Sequence, residues 1–205
     1  MQIKQHLARI RNQAAFTMIE LLIVIAILGI LAVAVLAAIN PIEQINRGRD
    51  TGSRSDAEQL LSAIDRYYAY KGYYPWVNSP NAITDALSPM LGVTSLEAWQ
   101  DDAGTPCNVL DKLANGNTDG SCAGNNELKR SYVDKITQSD FNHLYVYYSG
   151  APGSSVYVCF APQSGAFQED AAERCVDELG SGLPEDLQGA AATICVEDAE
   201  YSCLP

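Results

Sequence analysis

The sequence predicts an α+β fold in which one long amino-terminal helix, apolar and membrane-spanning in its first half, packs its second half on a small antiparallel sheet head. Three observations predict it: an almost unbroken apolar run at residues 16–39, helical spacing resumed at residues 57–68, and two aromatic and β-branched runs, 143–149 and 154–160, separated by turn residues. The organisation expected from them is a leader at 1–15, an apolar half-helix at 16–39, a distal half-helix at 40–70 kinked near Pro41, and a disulfide-stabilised head at 71–205.

Residues 16–39 are interrupted only by Thr17, Glu20 and Gly29, and the run is long enough to cross a bilayer core of about 30 Å as a helix. Lys4, Arg9 and Arg11 precede it with no acidic residue among the first fifteen, which places the amino end in the cytoplasm. Arg47, Arg49 and Arg54 on the far side weaken that asymmetry, so the orientation rests mainly on the cysteines and the leader. In an ordinary secretory signal, small residues at a cleavage site follow the apolar stretch. Here Ala14 and Ala15 come before it. Cleavage at that point removes only the charged leader, leaves the apolar helix on the mature chain, and makes Phe16 the new amino terminus.

Beyond Asn40 the helical signal falters, because Pro41 lacks an amide hydrogen and Gly48 and Gly52 each cost about 1 kcal/mol relative to alanine. Ala57, Leu60, Leu61, Ile64, Tyr67 and Tyr68 then fall on one face, which should pack on the head. A helix from Phe16 to Tyr70 would be about 80 Å long at 1.5 Å per residue, far more than a bilayer needs. The Lys71-Gly72-Tyr73-Tyr74-Pro75-Trp76 stretch ends it, since Gly suits a helix C-cap and Pro often follows one. Gly150-Ala151-Pro152-Gly153 joins the two later runs as a β-hairpin. The acidic, Ala- and Gly-rich remainder carries no clear pattern, and no internal repeat stands out.

Composition narrows the function. The chain carries a net charge of −12, which becomes −15 once the three basic leader residues are removed. After Lys135 the only basic side chain is Arg174, against eleven acidic ones, so direct nucleic-acid binding by the distal part is disfavoured. Cys107, Cys122, Cys159, Cys175, Cys195 and Cys203 all follow the apolar segment, with no Cys-x-x-Cys pair. An even number beyond an anchor points to disulfides in an oxidising compartment. Six cysteines allow fifteen full pairings, among which the sequence does not select; joining sequence neighbours would pair Cys107 with Cys122, Cys159 with Cys175 and Cys195 with Cys203.

The most informative side chain is Glu20. An acidic group at the centre of a membrane helix costs roughly 2.5–3.5 kcal/mol, and near the helix end a smaller cost remains. Cleavage before Phe16 creates a partner, because a free α-amino group is mostly protonated at neutral pH. The amine of an incoming subunit meeting Glu20 of the preceding one neutralises both charges in an apolar setting and fixes an axial step. A carboxylate reaching the headgroups, or one that is protonated, is the alternative.

The stretch Ala15-Phe16-Thr17-Met18-Ile19-Glu20-Leu21-Leu22-Ile23-Val24-Ile25-Ala26-Ile27-Leu28 resembles the signature shared by type IV pilins and type II secretion pseudopilins. That resemblance implies a prepilin peptidase cutting between Ala15 and Phe16, methylation of the Phe16 amine, and Glu20 as the carboxylate that directs polymerisation. Ala15 stands where the family usually has Gly. Also implied are a pilin-like head, a homopolymer of this chain, and assembly driven by a cytoplasmic ATPase and an inner-membrane platform protein. The precursor is then a single-pass protein of the cytoplasmic membrane with its amino terminus inside, and the mature form lies in a surface filament. A pseudopilin of a secretion system and a membrane-tethered binding ectodomain are the alternatives. Adhesion, twitching motility, DNA uptake and secretion are not separated by the sequence.

Other motifs carry less. Asn115-Gly116-Asn117-Thr118-Asp119-Gly120 resembles a calcium loop, with Asn115, Asn117 and Asp119 as ligands. Asn126 holds the twelfth position where a Glu is needed, with Glu127 next, so a solvated turn closed by Cys107 and Cys122 is the favoured reading and no cofactor is expected. The tyrosines at 67, 68, 70, 73, 74, 145, 147, 148 and 157 fit packing better than an adhesive face. Lys129, Arg130 and Lys135 read as a solvated loop rather than a DNA contact. His143 stands alone in a predicted strand and no nucleophile or phosphate-loop motif occurs, so an enzyme is not expected.

Overall fold

The computed structural model describes residues 16–77, 87–93, 108–116, 122–138, 142–176, 180–196 and 200–205. The chain divides into two units, Met1–Ile42 and Glu43–Pro205.

In the first unit, helix α1 runs from Met18 to Ala38 and has no buried residue. Its 21 residues span about 31 Å at 1.5 Å per residue, which matches a bilayer core. It is long and apolar enough to cross a membrane. Ile39, in extended conformation, caps it. The next helix, α2, spans Pro41–Lys71, where proline at the first helical position loses no hydrogen bond, and Asn40 Oδ1 accepts from the Ile42 amide at 3.2 Å.

In the second unit, the inward face of α2 is Ser53, Ala57, Leu60, Ile64 and Tyr67, with Asp50, Asp56 and Ala63 beside it, all buried. Leu61 packs at the edge of this face, and Tyr68 is 45% exposed. The helix stops at Gly72, whose φ of +78° suits glycine and whose amide closes back on the Tyr68 carbonyl at 2.7 Å, an αL cap.

The sheet has four antiparallel strands in sequence order: β1 (Leu87–Gly92), β2 (Leu144–Tyr148), β3 (Val156–Phe160) and β4 (Ser202–Leu204). The expected hairpin is β2 and β3, with Leu144 opposite Phe160 and Tyr148 opposite Val156. Short helices α3 (Val109–Leu113), α4 (Arg130–Ile136), α5 (Gly165–Ala172) and α6 (Ala191–Ile194) complete the described head, with a 3₁₀ turn at Gln188–Ala190.

Alternation along the strands divides the core in two. Leu144, Val146 and Tyr148 of β2 and Val156, Val158 and Phe160 of β3 face α2, α3 and α4. Tyr147, Tyr157, Cys159 and Cys203 face a second layer made by Leu183, Leu187, Ala190, Ala191 and Ile194. The acidic carboxyl-terminal part, which carried no legible pattern, is thus the lid on the outer face of the sheet.

That lid corrects the disulfide expectation. Cys159 pairs with Cys203, and Cys175 with Cys195; Cys159 does not join Cys175, nor Cys195 join Cys203. The reason is register: β4 returns beside β3 and sets Cys203 directly opposite Cys159, leaving the cysteines after α5 and α6 to meet each other. Cys122 is also disulfide-bonded, and the expected pairing of Cys107 lies outside the described residues.

Candidate functional site

The start of α1 carries the residues singled out for assembly. Thr17 is the N-cap, with extended backbone, and forms a reciprocal capping box with Glu20. Thr17 Oγ1 accepts from the Glu20 amide at 3.2 Å. In return Glu20 Oε2 accepts from the Thr17 amide at 3.0 Å and from the Thr17 hydroxyl at 2.9 Å. Two amides that the first helical turn leaves without partners are thereby satisfied, and the carboxylate is bent back toward Thr17, the second residue after the expected cut.

Phe16 is 83% exposed, and the positions of Leu21 to Leu36 that carry large apolar side chains are all about half exposed or more. A carboxylate on such a helix has no partner beyond Thr17 in the bonds described. Sequence reasoning singled out Glu20 but missed the role of Thr17; the spacing Thr17-x-x-Glu20 ahead of an apolar run is the capping-box signature that reveals it. Ala15 and the peptide bond before Phe16 lie outside the described residues.

Within the second unit, α2 is fixed to the head by charged groups. Asp50, fully buried, accepts from the Gln163 amide at 2.9 and 3.1 Å, the Ser164 amide at 2.7 Å and the Ser164 hydroxyl at 2.6 Å. Glu43 Oε2 accepts from the Gly165 amide at 3.2 Å. Two carboxylates of α2 therefore cap the amino end of α5, where anions are stabilised. Further along, Lys135 Nζ pairs with both Asp56 oxygens at 2.6 and 2.8 Å, and the Tyr132 hydroxyl donates to the Asp56 carbonyl. Burial, with the Asp56 charge nearby, pushes the Tyr132 phenol far up, so it remains a neutral donor.

Lys135 and Arg130 of the small basic group are ion-paired, Arg130 with Asp111 and Asp134. Asn115 and Gly116 are described, but Asn117 to Gly120, and with them the calcium reading, lie outside the described residues. Glu127 is held by Arg66 Nε at 2.8 Å. Among the described residues no group of three or more His, Cys, Asp or Glu side chains could hold a metal. His143 lies just before β2, and its Nδ1 is buried with no hydrogen-bond partner. Of the tyrosines, 67, 147, 148 and 157 are buried, 73, 74 and 145 partly so, and 68 and 70 exposed.

Residues 10–36 match the family model of the prokaryotic N-terminal methylation motif. This is the signature found in type IV pilins and pseudopilins. The motif implies prepilin-peptidase processing and a membrane-associated polymer. No curated protein and no solved structure matches the chain.

Proposed function

We propose that this chain is the structural subunit of a type IV pilus, cut between Ala15 and Phe16 by prepilin peptidase, methylated on Phe16 and polymerised through α1. The observation that carries the reading is an apolar helix of membrane length with no buried residue and one carboxylate, Glu20, in its first turn. Such a helix has two apolar environments open to it: the bilayer before assembly and the helices of other copies afterwards. In the second environment Glu20 pairs with the cationic amino terminus of the neighbouring copy, which removes two isolated charges at once. The Thr17 hydroxyl and amide occupy Glu20 Oε2 and hold the carboxylate toward the helix start, leaving Oε1 for the incoming amine. A cytoplasmic ATPase and an inner-membrane platform supply the energy and the assembly point.

Mass spectrometry of the mature protein should give an amino terminus at methylated Phe16, and electron microscopy should find this chain as the main component of surface fibres. Glu20→Ala should be processed normally and remain in the membrane without entering fibres. An amino terminus still at Met1, or normal fibres from Glu20→Ala, refutes the mechanism. Processed protein confined to the cell envelope and required for secretion assigns the chain to the pseudopilins, which share the matched motif.

A further inference from the structure

A cavity of about 560 Å³ lies in the head between the β2–β3 turn and the 185–189 stretch of the lid. Tyr147 of β2 lines it, and that side chain is 2% exposed. A phenol buried to this degree ordinarily finds a hydrogen-bond partner. Among the described residues the Tyr147 hydroxyl has none. Its cross-strand neighbour Tyr157 does, donating to Asp186 Oδ1 at 2.7 Å, while the Ser155 amide donates to Oδ2 at 2.7 Å. Room for the unpaired hydroxyl comes from Gly189, where a Cβ would stand 2.6 Å from the Tyr147 oxygen.

The walls are rich in acceptors and short of donors. Glu185 is exposed and forms no ion pair among the described residues, and no basic side chain lines the cavity. Arg174 lines a different cavity and donates to the Cys203 carbonyl at 3.3 Å. Partial desolvation raises the Asp186 carboxyl, but the Ser155 and Tyr157 bonds outweigh it and keep the group below the ordinary value, hence charged at neutral pH. Burial, with Asp186 nearby, pushes the Tyr147 phenol up, so its oxygen stays neutral. The turn hydroxyls are already engaged: Ser154 donates to the Ala151 carbonyl at 2.7 Å, and Ser149 accepts from the Ala151 amide at 3.3 Å. Ala151 and Pro152 add apolar surface to the lining.

Two carboxylates and an unpaired phenol oxygen lining one cavity call for a cation that brings its own N–H donors. A guanidinium favours both oxygens of one carboxylate at once, and at Asp186 both already hold protein donors. An ammonium carries three donors on one atom and can share them among separate acceptors. We propose that this cavity is a binding site for a primary alkylammonium group, held by the Tyr147 hydroxyl, Glu185 and Asp186, with its alkyl stem along Ala151 and Pro152. Two sources supply such a group: a free amine in solution, or a lysine side chain of another copy. The site stands independently of the polymer reading.

Amide NMR of the full detergent-solubilised chain, titrated with butylammonium chloride against sodium chloride at equal ionic strength, tests it. The Gly153 and Gly189 amide signals should shift saturably in the millimolar range. Tyr147→Phe and Glu185→Gln should each weaken that binding about tenfold, the size expected for one charge-assisted hydrogen bond. Tyr147→Phe should also keep the wild-type denaturation midpoint, because the lost hydroxyl serves no bond within the described fold. The site is overturned by any of three results: no saturation, equal binding of tetramethylammonium, which has no N–H to donate, or a Tyr147→Phe chain that binds as wild type or unfolds earlier. Carbodiimide treatment of filaments in the presence of butylamine separates the sources. A Glu185 link to a lysine of another copy assigns the side chain, and butylamide at Glu185 with no such link assigns the free amine.

Discussion

Asp50→Ala should loosen the attachment of α2 to the head. The native carboxylate is fully buried and satisfies three donors: the Gln163 and Ser164 amides and the Ser164 hydroxyl. Alanine leaves all three without an acceptor, and a buried donor left unpaired costs about 1–3 kcal/mol. Gln163 lies at the surface, where water can replace its partner, so the total is about 4 kcal/mol rather than the upper sum. Against a typical domain stability of about 5–15 kcal/mol, that loss is large. Asp50→Asn keeps the size and one acceptor oxygen and should cost about half as much. Glu43→Gln alters a single 3.2 Å bond to Gly165 and should cost less than about 1 kcal/mol. Native-state hydrogen exchange on the detergent-solubilised chain reads the effect where it arises: protection of the Gln163 and Ser164 amides should fall by about three orders of magnitude in Asp50→Ala. The order Ala, then Asn, then Glu43→Gln is the signature of the capping arrangement. An Asp50→Ala chain within about 0.5 kcal/mol of wild type, or one whose α5 amides exchange unchanged, refutes it.

Non-reducing proteolysis should release peptides linked Cys159 to Cys203 and Cys175 to Cys195; with sequence separations of 44 and 20, removing either bond by paired serine substitution should cost about 3–4 kcal/mol in denaturant titration. Asp186 gives an acid-side prediction: partial desolvation pushes its carboxyl up, but bonds from the Ser155 amide and the Tyr157 hydroxyl outweigh that and leave it below the ordinary carboxylate value. Its contribution is therefore complete above the unfolded carboxylate range and lost as pH falls through the lowered folded value, so Asp186→Asn should flatten the acid limb of a stability-against-pH curve; an unchanged limb counts against it. At the other end, burial and the bond to Asp186 push the Tyr157 phenol up to about 12, so absorbance titration should show it ionising above the ordinary tyrosine value of about 10.

Local signals were legible because they need no knowledge of what lies across the fold. The apolar run of α1, the Gly72 stop, the β2–β3 hairpin and the inward face Ala57, Leu60, Ile64 and Tyr67 each follow from periodicity or turn chemistry within a few residues. Glu20 was legible for the same reason, as one carboxylate in a greasy helix. Asp50 was not, because its partners stand more than a hundred positions away, and on sequence alone it is one more acid in a polar stretch. The aromatic stack of Tyr68, Tyr74 and Trp76 was visible as a crowd of tyrosines but not as an ordered one.

By itself the sequence determined the membrane-length helix, the carboxylate in its first turn, the methylation motif and the division between a greasy rod and an acidic head, since each is a property of neighbouring residues. Tertiary structure alone decided which cysteines meet and that the patternless carboxyl-terminal part covers the outer face of the sheet. Those outcomes depend on strand register and chain return, in which one residue of slip turns every side chain to the other face, and nothing local to Cys159 or Cys175 records where β4 will lie.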